Sequence, residues 1–360
     1  MAVIEATSWS GYSTESHDRP GVLVTGGAGF IGSHTVVALC ARGYRVVVLD
    51  NFCNSHSDVL TQIEAIVGSD VPKVRGDVRD SDLIAATLHS HGLTSVIHFA
   101  AFKSVAESCV RPLEYYENNV GGTIALLAGM RRSGVSKLVF SSSAAVYDAS
   151  TPSPIDESAP LKPASPYGRT KLAMERLIND VAHSDQNVHA ACLRYFNPVG
   201  AHESGTLGES PLGLPNNLMP SICQVAAGRL PRLKIFGDDY ATRDGTGIRD
   251  YLHVVDLAHA HVNALDFVTR ECRSITVNLG TGRGTSMHEL LSAFERVNAL
   301  IVPQETLSRR PGDVAVLVAN PASAKRLLGW EARIDLDTMC RDAWRSQSTN
   351  FVQLRRGLRN

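Results

Sequence analysis

The stretch Gly21-Val22-Leu23-Val24-Thr25-Gly26-Gly27-Ala28-Gly29-Phe30-Ile31-Gly32 determines the fold that this chain of 360 residues is expected to adopt. An apolar, β-branched run predicts a buried strand that ends at Thr25, and helix-forming residues follow the glycines. A strand, a glycine turn and a helix in this order predict a dinucleotide site. Gly26 would permit the tight turn, Gly29 would let a pyrophosphate approach, and Gly32 would allow close packing of the helix. The helix N-terminus would offer free N–H groups to the phosphates.

A carboxylate follows the second predicted strand. The apolar run Tyr44–Leu49 ends in Asp50, roughly 20 residues beyond the glycines, which is the spacing expected for a carboxylate that binds the adenosine ribose. Such a group accepts hydrogen bonds from ribose hydroxyls and would repel a 2′-phosphate. The sequence therefore favours NAD over NADP.

Strands and amphipathic segments alternate through the first half of the chain, which predicts an α/β protein with a Rossmann-type, doubly wound parallel sheet. The predicted strands are Val22–Thr25, Arg45–Leu49, Lys73–Arg75, Ser95–Phe99, Lys137–Ser141 and His189–Arg194. From Asn197 onward, long loops rich in Gly, Pro and Asn predict a smaller C-terminal α/β substrate lobe. We expect a flexible extension (1–20), a Rossmann domain (21–198, with 250–275 returning to it), a substrate lobe (199–249 and 276–345) and a C-terminal tail (346–360).

Composition restricts the classes of partner. With a net charge of −1, the chain has no overall positive potential that would attract nucleic acid or anionic membranes. Seven cysteines without a Cys-x-x-Cys pair predict free thiols in a reducing compartment. With no membrane span, no apolar signal core and no metal-ligand pattern, we expect a cytoplasmic enzyme without a metal.

Tyr167 and Lys171 are four residues apart in a run that predicts a helix, so both side chains would lie on one face. A phenol is a poor base at neutral pH, but a neighbouring ammonium and an oxidised nicotinamide would stabilise its phenolate. Tyr167 could then accept a proton from a substrate hydroxyl while the carbon loses hydride. Ser143 follows an apolar strand whose carboxyl end would face the ligand crevice, where its hydroxyl could bond the reacting oxygen.

Longer motifs extend this interpretation across the chain. Those with the highest specificity are Leu193-Arg194-Tyr195-Phe196-Asn197-Pro198, Pro215-Asn216-Asn217-Leu218-Met219-Pro220 and Asp244-Gly245-Thr246-Gly247-Ile248-Arg249-Asp250-Tyr251. With the glycine run, they make the chain resemble the extended short-chain dehydrogenase/reductases, and within them the UDP-glucose 4-epimerase family, from Val22 to about Trp344. The resemblance implies a homodimer formed through the segments near Val105–Met130 and Ala164–His183.

The resemblance also implies roles for individual residues. The cofactor site would comprise Gly26, Gly29, Phe30, Ile31 and Gly32 at the pyrophosphate, Asp50, Asn51, Phe52, Cys53 and Asn54 at the ribose, Asp77 and Val78 at adenine, and Phe99, Ala100, Lys103, Asn119, Lys171 and Tyr195 toward the nicotinamide. The substrate site would comprise Ser143, Ala144, Ala145 and Tyr167, then Tyr195, Phe196 and Asn197, then Asn216, Asn217 and Leu218 at the diphosphate and sugar, Lys234, Ile235 and Phe236 at uracil, Arg249 and Arg310 at the phosphates, and Asp313 at the ribose.

The implied reaction interconverts UDP-galactose and UDP-glucose. Tyr167 and Ser143 would assist oxidation at C4 by NAD⁺, the 4-keto sugar would rotate, and hydride would return to its other face. Leu317 occupies the family's gate position, where an intermediate size predicts weak activity on UDP-GalNAc. Ala145 stands where threonine is usual, and Asp148 where glycine is common, so contacts to the sugar and the shape of that loop could differ.

Two alternatives remain at this stage. A nucleotide-sugar 4,6-dehydratase or decarboxylase of the same superfamily begins with the same oxidation but needs an acid/base pair after the serine, where this chain has Ala144 and Ala145. An NAD-sensing protein that has lost catalysis is disfavoured by the intact Tyr167 and Lys171.

Overall fold

The computed structural model describes residues 20–210, 212–213, 215, 217–310 and 312–357. The strands within these residues are β1 (Gly21–Thr25), β2 (Arg45–Asp50), β3 (Lys73–Arg75), β4 (Ser95–His98), β5 (Lys137–Ser141), β6 (His189–Tyr195), β7 (Asn197–Val199), β8 (Leu233–Phe236), β9 (Ile248–Arg249), β10 (Tyr251–His253), β11 (Ile275–Leu279), β12 (Thr285–Ser286), β13 (Gln304–Leu307) and β14 (Val316–Leu317).

The helices of the same residues are α1 (Phe30–Ala41), α2 (Asp58–Val67), α3 (Ser81–Ser90), α4 (Val105–Val110), α5 (Pro112–Tyr115), α6 (Gly122–Arg132), α7 (Pro166–Ser184), α8 (Leu218–Ala226), α9 (Val254–Glu271), α10 (Met287–Asn298), α11 (Ala322–Leu328) and α12 (Leu336–Gly357). A π-helical segment, Tyr116–Gly121, joins α5 to α6, and a 3-10 turn, Ala144–Val146, follows β5. None of the helices in the described part of the chain is long and apolar enough to cross a membrane.

Seven parallel strands form the central sheet in the order β11-β6-β5-β4-β1-β2-β3. The six strands predicted from the sequence are confirmed, each within one residue at either end. The seventh strand, β11, was not predicted. It extends the segment that returns to the sheet as far as Leu279, beyond the expected boundary at residue 275.

Helices cover both faces of the sheet, because its strands carry apolar side chains on both sides. In β1, Val22 and Val24 face a core shared with α1, α2, α9 and α11, whereas Leu23 faces the opposite core shared with α3, α6 and α7. All five residues of β1 are buried. The expected doubly wound α/β architecture is confirmed.

A smaller lobe has its own core, to which α8, α10 and α12 contribute Ile222, Phe294 and Cys340. Two short sheets, β12-β9-β14 and β13-β8, belong to this part of the chain. Helix α12 continues through the expected boundary at residue 345 as far as Gly357. Most of the expected N-terminal extension, residues 1–19, lies outside the described residues.

The strand order indicates where the ligand crevice lies. From β1 the chain adds β2 and β3 on one side, and then β4, β5 and β6 on the other. Ligands of such sheets bind beyond the carboxyl ends of the strands, where the order reverses. Asp50 is the last residue of β2, and Ser143 lies shortly after the end of β5, so both are at this edge of the sheet.

Candidate active site

The glycine turn depends on backbone geometry that other residues would not tolerate. Gly26 has a φ of +70°, and a Cβ added to it would lie 2.7 Å from the backbone nitrogen of Ala100. The Gly29 N–H donates to the Gly26 carbonyl (3.1 Å), and α1 begins at the next residue. The first N–H groups of α1 therefore point into the crevice, as a bound diphosphate requires.

Asp50 connects this turn to the loop after β2. One carboxylate oxygen accepts from the Ala28 N–H (3.0 Å), and the other accepts from the Phe52 N–H (2.8 Å). The side chain is buried, and Phe52 adopts a left-handed φ of 58°. These bonds hold Asp50 at the end of β2, beside the glycine turn.

Asp77 is bound to neighbours within the protein. Asn51 donates to its carboxylate (3.3 Å), and Arg79 forms an ion pair with it (2.9 Å). The hydrogen bond from Arg79 is the main reason that the pKa of Asp77 falls to about 2.

A cleft that is open to solvent lies at the carboxyl ends of the strands. The structure brings together along its walls most of the residues that the sequence assigns to a cofactor, from the glycine turn to the Tyr167 pair. The predicted residues that line it are Gly26, Gly29, Phe30, Ile31, Gly32, Asp50, Asn51, Cys53, Asn54, Val78, Phe99, Ala100, Lys103, Tyr167, Lys171 and Tyr195. Phe52, Asp77 and Asn119 are not among the lining residues.

Asn119 lies fully buried in the π-helical segment. Its side-chain oxygen accepts from the Phe102 N–H (2.8 Å), and its nitrogen donates to the Phe102 carbonyl (3.1 Å) and the Thr170 hydroxyl (3.1 Å). Asn119 therefore ties the loop after β4 to α7. Phe102, rather than Asn119, lies on the cleft wall.

Tyr167 and Lys171 lie on the first turns of α7, as the sequence predicts. Ser165 caps this helix by accepting from the Gly168 N–H (3.1 Å), and Pro166 occupies its first position. Both side chains are buried, with 7 % and 3 % of their surfaces exposed, and both reach the cleft. Lys171 Nζ donates to the Ser141 carbonyl (2.8 Å).

Burial opposes charge on both groups. It raises the pKa of the Tyr167 phenol, while a hydrogen bond with Ser143 acts in the opposite direction. It lowers the pKa of Lys171 to about 7, and the charge of Glu175 partly opposes that shift. Burial therefore favours the neutral form of both side chains.

Ser143 begins the 3-10 turn after β5, and its hydroxyl accepts from the Ala145 N–H (3.2 Å). Ala144 is buried, and Tyr195 lies on the cleft wall with its hydroxyl bonded to Ser141 Oγ (2.8 Å). Burial raises the pKa of Tyr195. Ser143 therefore hydrogen-bonds Tyr167, whereas Tyr195 bonds Ser141.

Residues assigned to the nucleotide sugar lie outside the cleft wall, apart from Tyr167 and Tyr195. Phe196 is buried, and the Asn197 N–H donates to the Asp250 carbonyl (3.0 Å). Asn217 precedes α8, which begins at Leu218. Asn216 lies outside the described residues.

Along β8, the strand expected to bind uracil, buried residues alternate with more exposed ones. Ile235 is buried and pairs in strand register with Thr306 of β13. Lys234 is exposed, and Phe236 is partly buried. The Arg310 guanidinium lies 3.6 Å from the centre of the Phe236 ring, within cation–π range.

Arg249 is held by the adjoining loop. Its guanidinium donates to the Val314 carbonyl (2.8 Å) and contacts the Asp313 carboxylate (3.4 Å). It pairs in strand register with Leu317, which packs against the small cluster containing Ala144 and Phe196. Leu317, the residue predicted to act as the gate, therefore lies beside the segment that carries Ser143.

Sequence reasoning missed several residues of the cleft. Gly208, Glu209 and Ser210 line its wall although they lie in the loop-rich second half of the chain. Glu209 accepts hydrogen bonds from Lys103 and Asn217, each at 2.9 Å. No local pattern distinguishes Glu209, because its contact with Lys103 joins residues that are 106 positions apart. Among the described residues, no group of three or more His, Cys, Asp or Glu side chains could hold a metal ion.

Comparison with known proteins identifies the family. The family model for GDP-mannose 4,6 dehydratase matches residues 23–343. The UDP-glucose 4-epimerase of Bacillus subtilis (strain 168) is 50 % identical over 329 residues, which are 91 % of this chain and 97 % of that protein. The UDP-glucose 4-epimerase of Mus musculus is 48 % identical over 336 residues, with 91 % and 97 % covered.

Several solved structures with a similar fold are also UDP-glucose 4-epimerases. The UDP-glucose 4-epimerase of Stenotrophomonas maltophila, crystallised with NAD and formylated UDP-arabinopyranose, is 51 % identical and superposes with a TM-score of 0.92, covering 93 % of this chain and 100 % of that one. The enzyme from Bifidobacterium longum, in complex with NAD⁺ and UDP, is 44 % identical with a TM-score of 0.88, covering 92 % and 98 %. Together with the Tyr167–Lys171 pair beside a dinucleotide cleft, these matches show that the chain belongs to the UDP-glucose 4-epimerases of the extended short-chain dehydrogenase/reductases.

Proposed function

We propose that this enzyme interconverts UDP-galactose and UDP-glucose with NAD as a cofactor that is regenerated in each turnover. One observation carries the proposal: the buried Tyr167 and Lys171 lie on the wall of the same cleft as the glycine turn and Asp50. A proton acceptor therefore adjoins a dinucleotide site. The family membership supports a nucleotide sugar as the substrate.

The residues present fit NAD. The φ of Gly26 and the free N–H groups of α1 suit a diphosphate, and the Asp50 carboxylate at the end of β2 suits a ribose with free hydroxyls. Bound NAD⁺ supplies the acceptor of hydride from C4 and returns that hydride later. Gly29, Phe30 and Ile31 would hold the pyrophosphate, and Lys103 and Lys171 would contact the nicotinamide half.

Tyr167 is the proposed base for the 4-hydroxyl of the sugar. Ser143 hydrogen-bonds the reacting oxygen, and the Lys171 ammonium stabilises the phenolate. Tyr167 and Lys171 are themselves largely buried. When hydride returns to the opposite face of the 4-keto sugar, Tyr167 gives its proton back.

Inversion requires one end of the substrate to stay bound while the other turns. Arg249 and Arg310 are proposed to hold the diphosphate, because guanidinium forks match paired phosphate oxygens. Asn216, Asn217 and Leu218 would support the diphosphate and sugar, Lys234, Ile235 and Phe236 the uracil, and Asp313 its ribose. The keto sugar makes fewer contacts and can rotate.

We further propose that the enzyme is a homodimer. Exposed apolar side chains are concentrated between α4 and α6, within the segment expected to form the interface, and include Val105, Val110, Leu113, Tyr116 and Ile124. Several exposed apolar side chains within one segment are the pattern expected of an interface. All seven cysteines are free, which supports a reducing compartment such as the cytoplasm.

The second candidate is a nucleotide-sugar 4,6-dehydratase, a reaction named by the matching family model. Elimination needs proton carriers after Ser143, and this chain has Ala144 and Ala145 there. The product distinguishes the two reactions.

The test is incubation of the purified protein with UDP-galactose, first without added NAD⁺, followed by chromatography and mass measurement of the product. Conversion to an equilibrium mixture with UDP-glucose would support epimerisation with retained cofactor. A product 18 Da lighter would establish the dehydratase, and no reaction with NAD⁺ added would contradict both.

Tyr167→Phe provides the matched residue test. Loss of the phenol is expected to lower kcat by about 10²- to 10⁴-fold, the usual contribution of a positioned acid/base, with NAD content unchanged. The control is Tyr44→Phe, which removes a phenol bonded to Asp266 outside the cleft and should leave kcat near wild type. Full activity of Tyr167→Phe would remove Tyr167 from the mechanism.

A further inference from the structure

A buried ion pair lies under the proton-transfer residues and is not used by the mechanism above. Glu175 and Arg194 have 2 % and 5 % of their surfaces exposed. The guanidinium contacts the carboxylate in a fork, with Nη2 at 2.6 Å from one oxygen and Nε at 2.9 Å from the other. Such a pair overcomes its desolvation only when its remaining hydrogen bonds are also made.

Those bonds reach the elements that carry the active site. Glu175 lies on α7, one turn after Lys171 and on the same face. The Ser142 hydroxyl, next to Ser143, donates to the Glu175 carboxylate. Arg194 immediately precedes Tyr195 on β6. One carboxylate therefore joins α7 to the ends of β5 and β6.

The far side of the pair is also fixed. Arg194 Nη1 donates to the Tyr147 hydroxyl (3.0 Å), and the guanidinium lies 5.0 Å from the centre of the Tyr147 ring. The Tyr147 hydroxyl in turn donates to the Asn278 side chain (2.7 Å). Both charged groups are therefore buried and hydrogen-bonded.

We propose that Glu175 is a positioning residue for proton transfer: paired with Arg194, it fixes α7 against Ser142 and places a negative charge beside Lys171. The inference rests on the proposed function. Its action is indirect, through the placement of Ser143 and Tyr167 and through the charge on Lys171.

The charges around Lys171 decide the direction of the electrostatic effect. On α7 it adjoins Tyr167 and Glu175; from β4 it faces His98, whose pKa burial lowers to about 3 so that the ring is neutral. From β5 it meets the Ser141 carbonyl and the Phe140 ring. Arg194 on β6 and Glu175 are thus the permanent charges behind the pair.

Opposite substitutions should therefore shift the pH profile of kcat in opposite directions. Glu175→Gln removes a negative charge, which lowers the pKa of both Tyr167 and Lys171, and it should move the profile to lower pH by about one unit. Arg194→Gln removes a positive charge and should move the profile to higher pH. Each variant should also lower kcat at its own optimum about tenfold with little change in KM.

The control Glu175→Asp keeps the charge but shortens the side chain, so kcat should fall without a shift of the profile. Ser142→Ala removes only one hydrogen bond to the pair and keeps the test available if a charge variant does not fold; its kcat should fall several-fold at constant KM and constant NAD content. Profiles that coincide with wild type in both charge variants, or an unchanged kcat in Ser142→Ala, would overturn the inference. Wild-type protein that does not epimerise UDP-galactose in the same assay would instead contradict the proposed function.

Discussion

At the scale of single residues, burial dominates the chemistry of the site. Tyr167 and Lys171 would be a solvent-exposed pair on most helices, but here α7 packs them against the sheet. Desolvation brings the pKa of Lys171 down to about 7, close to the pH at which it is needed. Its charge state is therefore sensitive to ordinary changes of pH.

This sensitivity predicts an alkaline limb in the pH profile. As pH rises through about 7, Lys171 loses its proton and no longer stabilises the Tyr167 phenolate, so kcat should decrease. In Lys171→Met the side chain is neutral at all pH values, and kcat should be about 10²-fold lower without that limb. Steady-state kcat measured from pH 5 to 10 tests this, with Lys137→Met, a partly exposed lysine at the start of β5, as the control. An unchanged limb in Lys171→Met would assign it to another group.

Leu317 should set the tolerance for the group at C2 of the sugar. It packs against Ala144 and Phe196, so replacing it with Ala opens space next to Ser143. Wild type should turn over UDP-GalNAc weakly, and Leu317→Ala should raise kcat/KM for UDP-GalNAc relative to UDP-galactose about tenfold. The neighbouring Val318→Ala is the control. Rapid turnover of UDP-GalNAc by wild type would contradict the gate assignment.

At the scale of elements, the turn between β1 and α1 combines two constraints. Gly26 needs a positive φ and also has no space for a Cβ beside Ala100. Gly134 has a nearly identical φ of +69° but nothing within 4 Å of an added Cβ. Substituting Gly134 therefore tests backbone strain alone, and substituting Gly26 tests backbone strain together with a steric collision.

Gly134→Ala should lower the free energy of unfolding by about 1–2 kcal/mol, the cost of a left-handed conformation for a residue with a Cβ. Gly26→Ala should cost more, since Ala100 must also move, and it should lose bound NAD. Denaturant titrations give the two stabilities, and absorbance of the nucleotide released on unfolding gives the NAD content. Equal losses and equal NAD contents would show that the collision has no effect.

At the scale of the whole molecule, two lobes meet at the carboxyl ends of the strands, and an apolar surface lies on α4–α6. The apolar surface on α4–α6 predicts that two copies of the chain form a dimer. Leu113→Glu places a charge on a side chain that is 76 % exposed in the single chain, and it should convert a dimer into a monomer in light scattering. Ile301→Glu, at a side chain that is 87 % exposed elsewhere, is the control and should leave the mass unchanged. A monomeric wild type would contradict the proposed homodimer.

The sequence by itself predicted six strands of the sheet, because their apolar runs are local and bounded by Gly and polar residues. The glycine turn, Asp50 and the Tyr167–Lys171 spacing were also recognisable, since each is a short pattern with one physical purpose. The edge strand β11 was missed because its apolar residues, Ile275, Val277 and Leu279, alternate with polar ones and do not form the continuous apolar run that marks β1 and β2.

Only the tertiary structure decided how the recognised residues act together. It placed Asn119 behind Phe102 rather than on the cleft wall, and it brought Glu209 from the second lobe to Lys103. It also buried Glu175 and Arg194 beneath the active site. Contacts between distant segments and the desolvation that shifts a pKa depend on the packed chain, so a linear pattern cannot contain them.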